Sequence, residues 1–203
     1  MTARRHVPIA LTALRALLGP VVVLLAIFHP SRPAFGVCLT VAFLSDVFDG
    51  IVARRMKVAT PNLRRLDSMA DTIFYLCAAF AVWHLHASAI ERQMFALIAL
   101  LLLEVARYVF DLRKFGREAS YHMWSSKLWG IALFAAVFSL LALGASGIAI
   151  TVAIYLGIIA DIEGLAISVI LVEWETDIPT FVHAYQRRVV GASKVHLRSG
   201  IDF

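Results

Sequence analysis

The sequence is short of charged residues and of cysteine, and each shortage excludes a class of protein. Only 16% of its 203 residues are charged, 61% are hydrophobic, and the mean hydropathy is +0.81. Because a soluble domain carries about 25% charged residues, this composition excludes an ordinary soluble or disordered chain. The two cysteines, Cys38 and Cys77, fall within apolar segments and lack metal-ligand spacing. They indicate neither a disulfide framework nor a cysteine-based zinc site.

The sequence contains several long apolar segments. A helix needs about 20 apolar residues to cross the hydrocarbon of a bilayer. The segments that meet this length lie near residues 7–28, 34–56, 63–86, 92–111, 125–144 and 147–172. We therefore predict an all-α polytopic membrane protein: a six-transmembrane-helix bundle over residues 1–179, followed by a basic cytoplasmic tail over 180–203 with a short surface helix. We expect the first segment to be a retained helix, since no small-residue cleavage signal follows it.

The basic residues are distributed unevenly along the chain. Of the 19 lysines and arginines, all except Arg32 and Arg92 fall near the termini or around the second-to-third and fourth-to-fifth connections. Cytoplasmic loops carry such an excess, so we expect both termini and these two connections to face the cytoplasm. The net charge of +5 then reflects topology and contact with anionic membrane lipids, and we expect no nucleic-acid partner.

Four aspartates interrupt the apolar segments at a regular spacing. Asp46 and Asp49 are three residues apart on one predicted helix, and Asp67 and Asp71 are four apart on the next, so each pair shares a helix face. A break near Pro61 folds the two helices into a hairpin that brings both pairs to a similar depth. Each charge buried in a membrane costs about 2.5–3.5 kcal/mol, and four cost about 10–14 kcal/mol. Positive charge must therefore lie among them.

The residue types at this hairpin indicate a metal-dependent phosphate site at the cytoplasmic rim. Carboxylates without histidine or cysteine favour Mg²⁺ or Mn²⁺, and two such ions would neutralise four aspartates. Ions held in this way commonly serve phosphate and diphosphate chemistry. Gly50 and Ala53 would allow a ligand to approach the helix closely, and Arg54 could bind a diphosphate through two hydrogen bonds.

These residues also form a recognisable motif. The pattern Asp46-x2-Asp49-Gly50-x2-Ala53-Arg54-x12-Asp67-x3-Asp71 resembles the signature of the CDP-alcohol phosphotransferases, integral membrane enzymes of phospholipid synthesis. The resemblance implies transfer of a phosphatidyl or similar group from a CDP-linked donor, CDP-diacylglycerol above all, to an alcohol with release of CMP. It also implies a homodimer, and we expect it in a bacterial cytoplasmic membrane.

The resemblance assigns roles to individual residues. It implies metal binding by Asp46, Asp49, Asp67 and Asp71, the role of general base for Asp71, and nucleotide binding by Gly50, Ala53 and Arg54.

Two positions depart from the family pattern. Leu63 replaces a glycine expected beside the cytidine end of the nucleotide, and Ile9 stands where asparagine is usual in the opening segment Pro8–Arg15. Leu63 therefore belongs to the predicted nucleotide site, where it leaves a shifted pose, a different donor or reduced activity open. Two alternatives follow: an inactive relative that binds lipid or nucleotide, and a divalent-cation carrier that uses the same aspartates.

Polar residues in the second half raise two further questions. The basic residues Arg107, Arg113 and Lys127 could bind the acceptor, and they favour a phosphorylated alcohol, although serine or a second lipid remains open. Asp161 and Glu163 lie near the middle of the sixth segment, where a charge is expensive. They are either functional or hydrogen-bonded across the bundle.

Overall fold

The computed structural model describes the backbone of residues 3–56, 61–145 and 147–189 and the side chains of residues 9–48, 65–145 and 147–189. The described residues form helices and connections with no strand, apart from an isolated parallel bridge between Ser120 and Thr176. The all-α prediction is confirmed. The helices are α1 (Ala3–Phe28), α2 (Arg32–Met56), α3 (Pro61–Glu91), α4 (Met94–Phe115), α5 (Trp124–Phe138), α6 (Ile148–Ile170) and α7 (181–189).

The bounds of these helices follow the predicted segments closely. Helix α5 continues as a π-helical turn over Ser139–Leu143, and Gly144 ends it with a φ of 63°. This left-handed conformation suits glycine. The predicted short surface helix after residue 180 corresponds to α7.

Four stretches are long and apolar enough to cross a membrane: Ile9–Phe28, Arg65–Glu91, Trp124–Leu143 and Ile148–Ile170. Helix α4 carries Glu104, Arg107 and Asp111 within its apolar sequence, and the side chains of α2 are described only through Phe48. The predicted count of six spans therefore stays a prediction.

The surface of the described helices is strongly apolar. Leu17 is 68% exposed, Leu76 is 66% exposed and Phe95 is 92% exposed, together with many other large hydrophobic side chains. Water-soluble monomers rarely expose such extensive apolar surface, whereas lipid chains solvate it without penalty. The surface is that of an integral membrane protein.

The described residues form two compact units. The first contains α1, α2, α3 and residues 134–149, and α1 packs against both α2 and α3. Gly19 permits close approach of α1 to α3, because a Cβ there would lie 3.2 Å from the Cys77 Sγ. The core includes alanines such as Ala42 and Ala78, each 1% exposed, and small side chains of this kind allow helices to pack closely in membranes.

The second unit contains α4, residues 124–133 of α5, residues 150–170 of α6, and α7. Gly157 of α6 meets the Trp129 ring and Leu100, since a Cβ at that glycine would lie within 2.9 Å of atoms of both. Beyond α6, α7 buries Ala184 in a cluster with Tyr121 and Ile167. These contacts order the connection between α4 and α5 and the segment that follows α6.

Candidate active site

Three of the four predicted aspartates converge in the first unit. Asp46 lies on α2, and Asp67 and Asp71 lie one turn apart on α3. One carboxylate oxygen from each lies within 4.8 Å of the other two. Because the two residues of α3 are separated by four positions, they present their carboxylates to the same neighbour. The structure thus brings together the acidic groups that the sequence pattern placed on separate helices.

Arg15 of α1 supplies the positive charge among these aspartates. Its side chain is 2% exposed, and its Nη1 lies 3.1 Å from the Asp46 Oδ1 and 3.2 Å from the Asp67 Oδ1. The same nitrogen donates to the Asp71 Oδ1. One guanidinium offsets one of the three carboxylate charges, so room for further positive charge remains.

Sequence reasoning assigned Arg15 to the opening segment and gave it no role in the site. A signal was nevertheless present, because Arg15 is the single charged residue in the span Ile9–Phe28. An isolated arginine within an apolar span commonly has a functional partner. Which partner it has depends on how α1 packs against α2 and α3, and that packing is a tertiary property.

The donor set fits a hard divalent cation. It consists of carboxylate oxygens alone, and Mg²⁺ binds such oxygens at about 2.0–2.1 Å. The Arg15 Nη1 is held by the same Oδ1 atoms of Asp46, Asp67 and Asp71. A cation bound by those atoms would meet the guanidinium at close range. An ion bound by the same oxygens would therefore compete with the arginine for them.

A small cavity adjoins the aspartate cluster. It has a volume of about 20 Å³ and is lined by Arg15, Asp46, Asp71 and the rings of Phe74, Tyr75 and Phe134, among others. This volume suffices for about one water molecule. The carboxylates also reach the surface outside this cavity, since the side chains of Asp46, Asp67 and Asp71 are 46%, 34% and 32% exposed.

The remaining predicted residues of this site lie outside the described side chains. The helical backbone is described as far as Met56 in α2 and from Pro61 in α3. The side-chain roles predicted for Asp49, Ala53, Arg54 and Leu63, and the close approach predicted at Gly50, stay predictions.

The basic residues predicted to bind the acceptor lie in the second unit, where several have partners of their own. Arg107 donates from Nε to the Asp161 Oδ1 at 3.0 Å. Lys127 lies over the Trp124 ring, with its Nζ 4.6 Å from the ring centroid, and Arg113 is exposed.

The neighbouring basic residues are also engaged. Lys114 donates to the carbonyl oxygens of Ser168 and Val169. Partial burial, reinforced by the charge of Arg188, lowers the pKa of the Lys114 ammonium below its ordinary value, against the opposing effect of Asp111. Several of these basic side chains therefore already interact with other groups of the protein.

The two acids of the sixth segment are hydrogen-bonded. Asp161 is 3% exposed and pairs with Arg107. The Glu163 Oε1 accepts a hydrogen bond from the Phe181 backbone nitrogen at 3.2 Å, at the start of α7. The sequence left open whether these two acids are functional or hydrogen-bonded across the bundle. The structure provides a hydrogen-bond partner for each of them.

Comparison with known proteins identifies the family to which the chain belongs. No curated protein and no solved structure matches the chain significantly. A family model described as CDP-alcohol phosphatidyltransferase matches residues 5–176, a range that includes the four predicted aspartates and most of the chain. The chain therefore belongs to the CDP-alcohol phosphatidyltransferase family.

Proposed function

We propose that this protein transfers a phosphatidyl or similar phosphoalcohol group from a CDP-linked donor to the hydroxyl of an alcohol, and that it releases CMP. The family implies transfer of a phosphoalcohol group from a CDP-alcohol, and CDP-diacylglycerol is the proposed donor. The observation that carries the proposal is the convergence of Asp46, Asp67 and Asp71 within 4.8 Å on neighbouring helices. Acids within a membrane protein pair with basic groups or bind cations, and these three carboxylates carry more negative charge than Arg15 alone offsets.

The proposed cofactor is a pair of Mg²⁺ or Mn²⁺ ions. The proposed ligands are the carboxylates of Asp46, Asp67 and Asp71, whose oxygens lie within 4.8 Å of one another, and the carboxylate of Asp49. Bound ions supply positive charge that offsets the diphosphate oxygens and the charge on the departing CMP. The single charge of Arg15 cannot provide this for a site with three or more carboxylates.

Asp71 is the proposed general base. It accepts the proton of the acceptor hydroxyl, and the acceptor oxygen forms a bond to the β-phosphorus of the donor. The bond between that phosphorus and the oxygen of CMP breaks, and CMP leaves with the electron pair. Because Arg15 donates to Asp71, we expect the guanidinium to move away before the carboxylate takes a proton.

The other proposed roles concern substrate binding. Arg54 binds the diphosphate, Gly50 and Ala53 allow it to approach α2, and Leu63 lies beside the nucleotide. Arg107, Arg113 and Lys127 are the proposed contacts of a polar acceptor, with glycerol 3-phosphate, inositol phosphate, serine and a second lipid as alternatives. We further propose a homodimer in a bacterial cytoplasmic membrane, with the site at the cytoplasmic rim.

The first experiment supplies the purified protein in lipid vesicles with CDP-diacylglycerol, Mg²⁺ and a panel of acceptor alcohols. We expect release of CMP together with one new lipid, identified by its mass. Transport of Mg²⁺ or Mn²⁺ without CMP release from any CDP-alcohol would instead support a cation carrier. Turnover that appears only after Leu63→Gly would identify an inactive relative.

Replacement of the proposed base tests the mechanism directly. We expect Asp71→Asn to lower the rate of CMP release by about 10²-fold or more, because the amide cannot accept the proton. The matched control is Asp177→Asn, which alters an aspartate whose side chain is 75% exposed in the second unit. A folded Asp71→Asn protein with the wild-type rate would contradict the assignment.

A further inference from the structure

Helix α7 exposes large apolar side chains although it follows the last apolar segment of the chain. Phe181 is 51% exposed, Val182 is 45% exposed and Tyr185 is 59% exposed, whereas Ala184 is fully buried. A helix that meets water on every side except its packed one carries polar residues on the exposed sides. The exposed apolar side chains of α7 therefore indicate a partner other than bulk water.

The apolar side chains share one side of the helix. Successive residues of an α-helix are about 100° apart, so that Phe181, Tyr185 and Val182 lie at about 60°, 100° and 160° from Ala184 around the axis of α7. The side between about 200° and 300° is polar and consists of His183, Gln186 and Arg187. The helix thus has a packed side, an apolar side and a polar side, a division typical of helices that lie in a membrane interface.

The contacts between α7 and α6 show where α7 lies along that helix. The Phe181 backbone nitrogen donates to the Glu163 Oε1 at 3.2 Å, and the Arg188 Nη1 donates to the Ile170 carbonyl oxygen at 3.4 Å. Glu163 precedes Ile170, the last residue of α6, by seven positions, which correspond to about 10 Å of helix. Because α6 is long and apolar enough to cross a membrane, α7 lies beside the last turns of a spanning helix and not beyond its end.

The surface of α6 at this level is also apolar. Ile162 is 55% exposed and Val169 is 53% exposed. Lipid chains solvate such side chains without penalty, and tyrosine is enriched at the boundary between lipid and water. The lipid-facing surface of α6 therefore extends to the level at which α7 exposes Phe181, Val182 and Tyr185.

The charge of α7 is compatible with the same partner. The helix contains two arginines and no acidic residue, and Glu175 pairs with Arg187 at 2.5 Å. Arg188 leaves the helix with an excess of positive charge, which the anionic headgroups of a cytoplasmic leaflet attract. In a second copy of the chain, an identical α7 would instead bring like charge to this surface.

We propose that α7 lies in the membrane interface with the side formed by Phe181, Val182 and Tyr185 inserted among the lipids, while His183 and Gln186 face water. Contact with lipid would then also hold the connection between α4 and α5, because Ala184 packs against Tyr121. The proposal does not depend on the transfer reaction. A transferase whose α7 faces water, or an inactive protein whose α7 meets lipid, would each decide one question without the other.

The test uses the full-length protein with Cys38 and Cys77 replaced by alanine, in vesicles of phosphatidylglycerol and phosphatidylcholine. A nitroxide spin label is attached to one new cysteine at a time. Power-saturation electron paramagnetic resonance then compares the collisions of the label with oxygen, which concentrates in the bilayer, and with a water-soluble nickel chelate. Ile159→Cys provides the lipid-facing reference, since this side chain of α6 is 56% exposed.

Each apolar position has its polar neighbour as a matched control. We expect labels at Val182→Cys and Tyr185→Cys to have an oxygen-to-nickel accessibility ratio about threefold or more above that of labels at His183→Cys and Gln186→Cys, because the two sides of the helix lie in different media. Phe181→Cys is the third label of the apolar side, should either of the others fail to fold.

Two results would overturn the proposal. Equal ratios on the two sides of α7 would show that the whole helix lies in water. Labels at positions 182 and 185 that neither oxygen nor the nickel chelate reaches would show that protein covers this side, as a second copy of the chain would.

Discussion

At the scale of the residue, Arg15 is central to the first unit. The three surrounding carboxylates spare the buried guanidinium the cost of an unpaired charge, and the guanidinium in turn offsets one of their three charges. Its contacts with Asp46, Asp67 and Asp71 also mean that the cluster is stabilised without an ion. Arg15 is thus an internal counter-ion, and its charge opposes the binding of any other cation by the same oxygens.

This competition predicts a gain of metal affinity when the charge is removed. We expect Arg15→Met to bind Mn²⁺ at least 10-fold more tightly than the wild type, measured by electron paramagnetic resonance of free Mn²⁺. Without divalent ions the variant should lose about 1–3 kcal/mol of stability, since three partly exposed carboxylates lose their partner, and Mg²⁺ should restore most of it.

Two further variants serve as controls for this prediction. Arg15→Lys retains the charge and should keep an affinity near that of the wild type. Arg92→Met makes the same change at an exposed arginine and should leave both affinity and stability unchanged. Equal or weaker Mn²⁺ binding by folded Arg15→Met would show that the arginine does not compete with the ion.

At the scale of the element, the approach of α1 to α3 determines where Arg15 lies. Gly19 lies one turn after Arg15 on α1, and a Cβ at this position would lie 3.2 Å from the Cys77 Sγ and 3.4 Å from the Phe74 backbone. The backbone atom cannot rotate away as a side chain does. An alanine at position 19 therefore needs only a small shift of the Cys77 sulfur, whereas a branched side chain such as valine must push the two helices apart.

Gly19→Val tests this dependence. We expect it to lower stability by about 1–3 kcal/mol through overpacking, and to change Mn²⁺ affinity because Arg15 moves relative to Asp67 and Asp71. The comparison is Gly130→Val, at a glycine of α5 where an added Cβ meets nothing within 4 Å. Thermal unfolding and Mn²⁺ binding of both variants provide the measurement. Equal stability of the two variants would contradict the close contact.

The helices also show which features of the structure residue spacing can predict. Spacing along one helix predicted that Asp67 and Asp71 share a face, and it correctly predicted the bounds of the apolar helices. Spacing could not reveal that Asp161 pairs with Arg107, because the two residues are 54 positions apart in the chain. Nor could it reveal that Glu163 accepts a hydrogen bond from the first backbone nitrogen of α7, which lies 18 residues away.

At the scale of the whole molecule, the open question is how many helices cross the membrane. The apolar segments predict six spans, and the basic residues predict that both termini lie in the cytoplasm. Four stretches satisfy length and hydropathy among the described residues. Both counts are even, so the position of the termini cannot distinguish them. The connection between α3 and α4 can, because it faces outward with six spans and inward with four.

A single cysteine in that connection provides the test. With Cys38 and Cys77 replaced by alanine, we expect Gln93→Cys to react with a membrane-impermeant maleimide added to intact cells. Glu118→Cys, which is cytoplasmic under either count, should react only after the cells are opened. Labelling of Gln93→Cys only in opened cells would contradict the six-span arrangement.

The sequence by itself determined the class of the protein and the acidic residues of its candidate site. A chain of apolar helices with so few charged residues is stable only in a lipid bilayer. The spacing of Asp46, Asp67 and Asp71 reflects helix geometry, which is a local property of the chain. The family match over residues 5–176 confirmed the resemblance carried by that spacing. Tertiary structure alone decided which basic side chain forms ion pairs with these aspartates, since Arg15 reaches them only when α1 packs on α2 and α3. It also decided which side of α7 is buried, because Ala184 packs against neighbours such as Tyr121 that are distant in the chain.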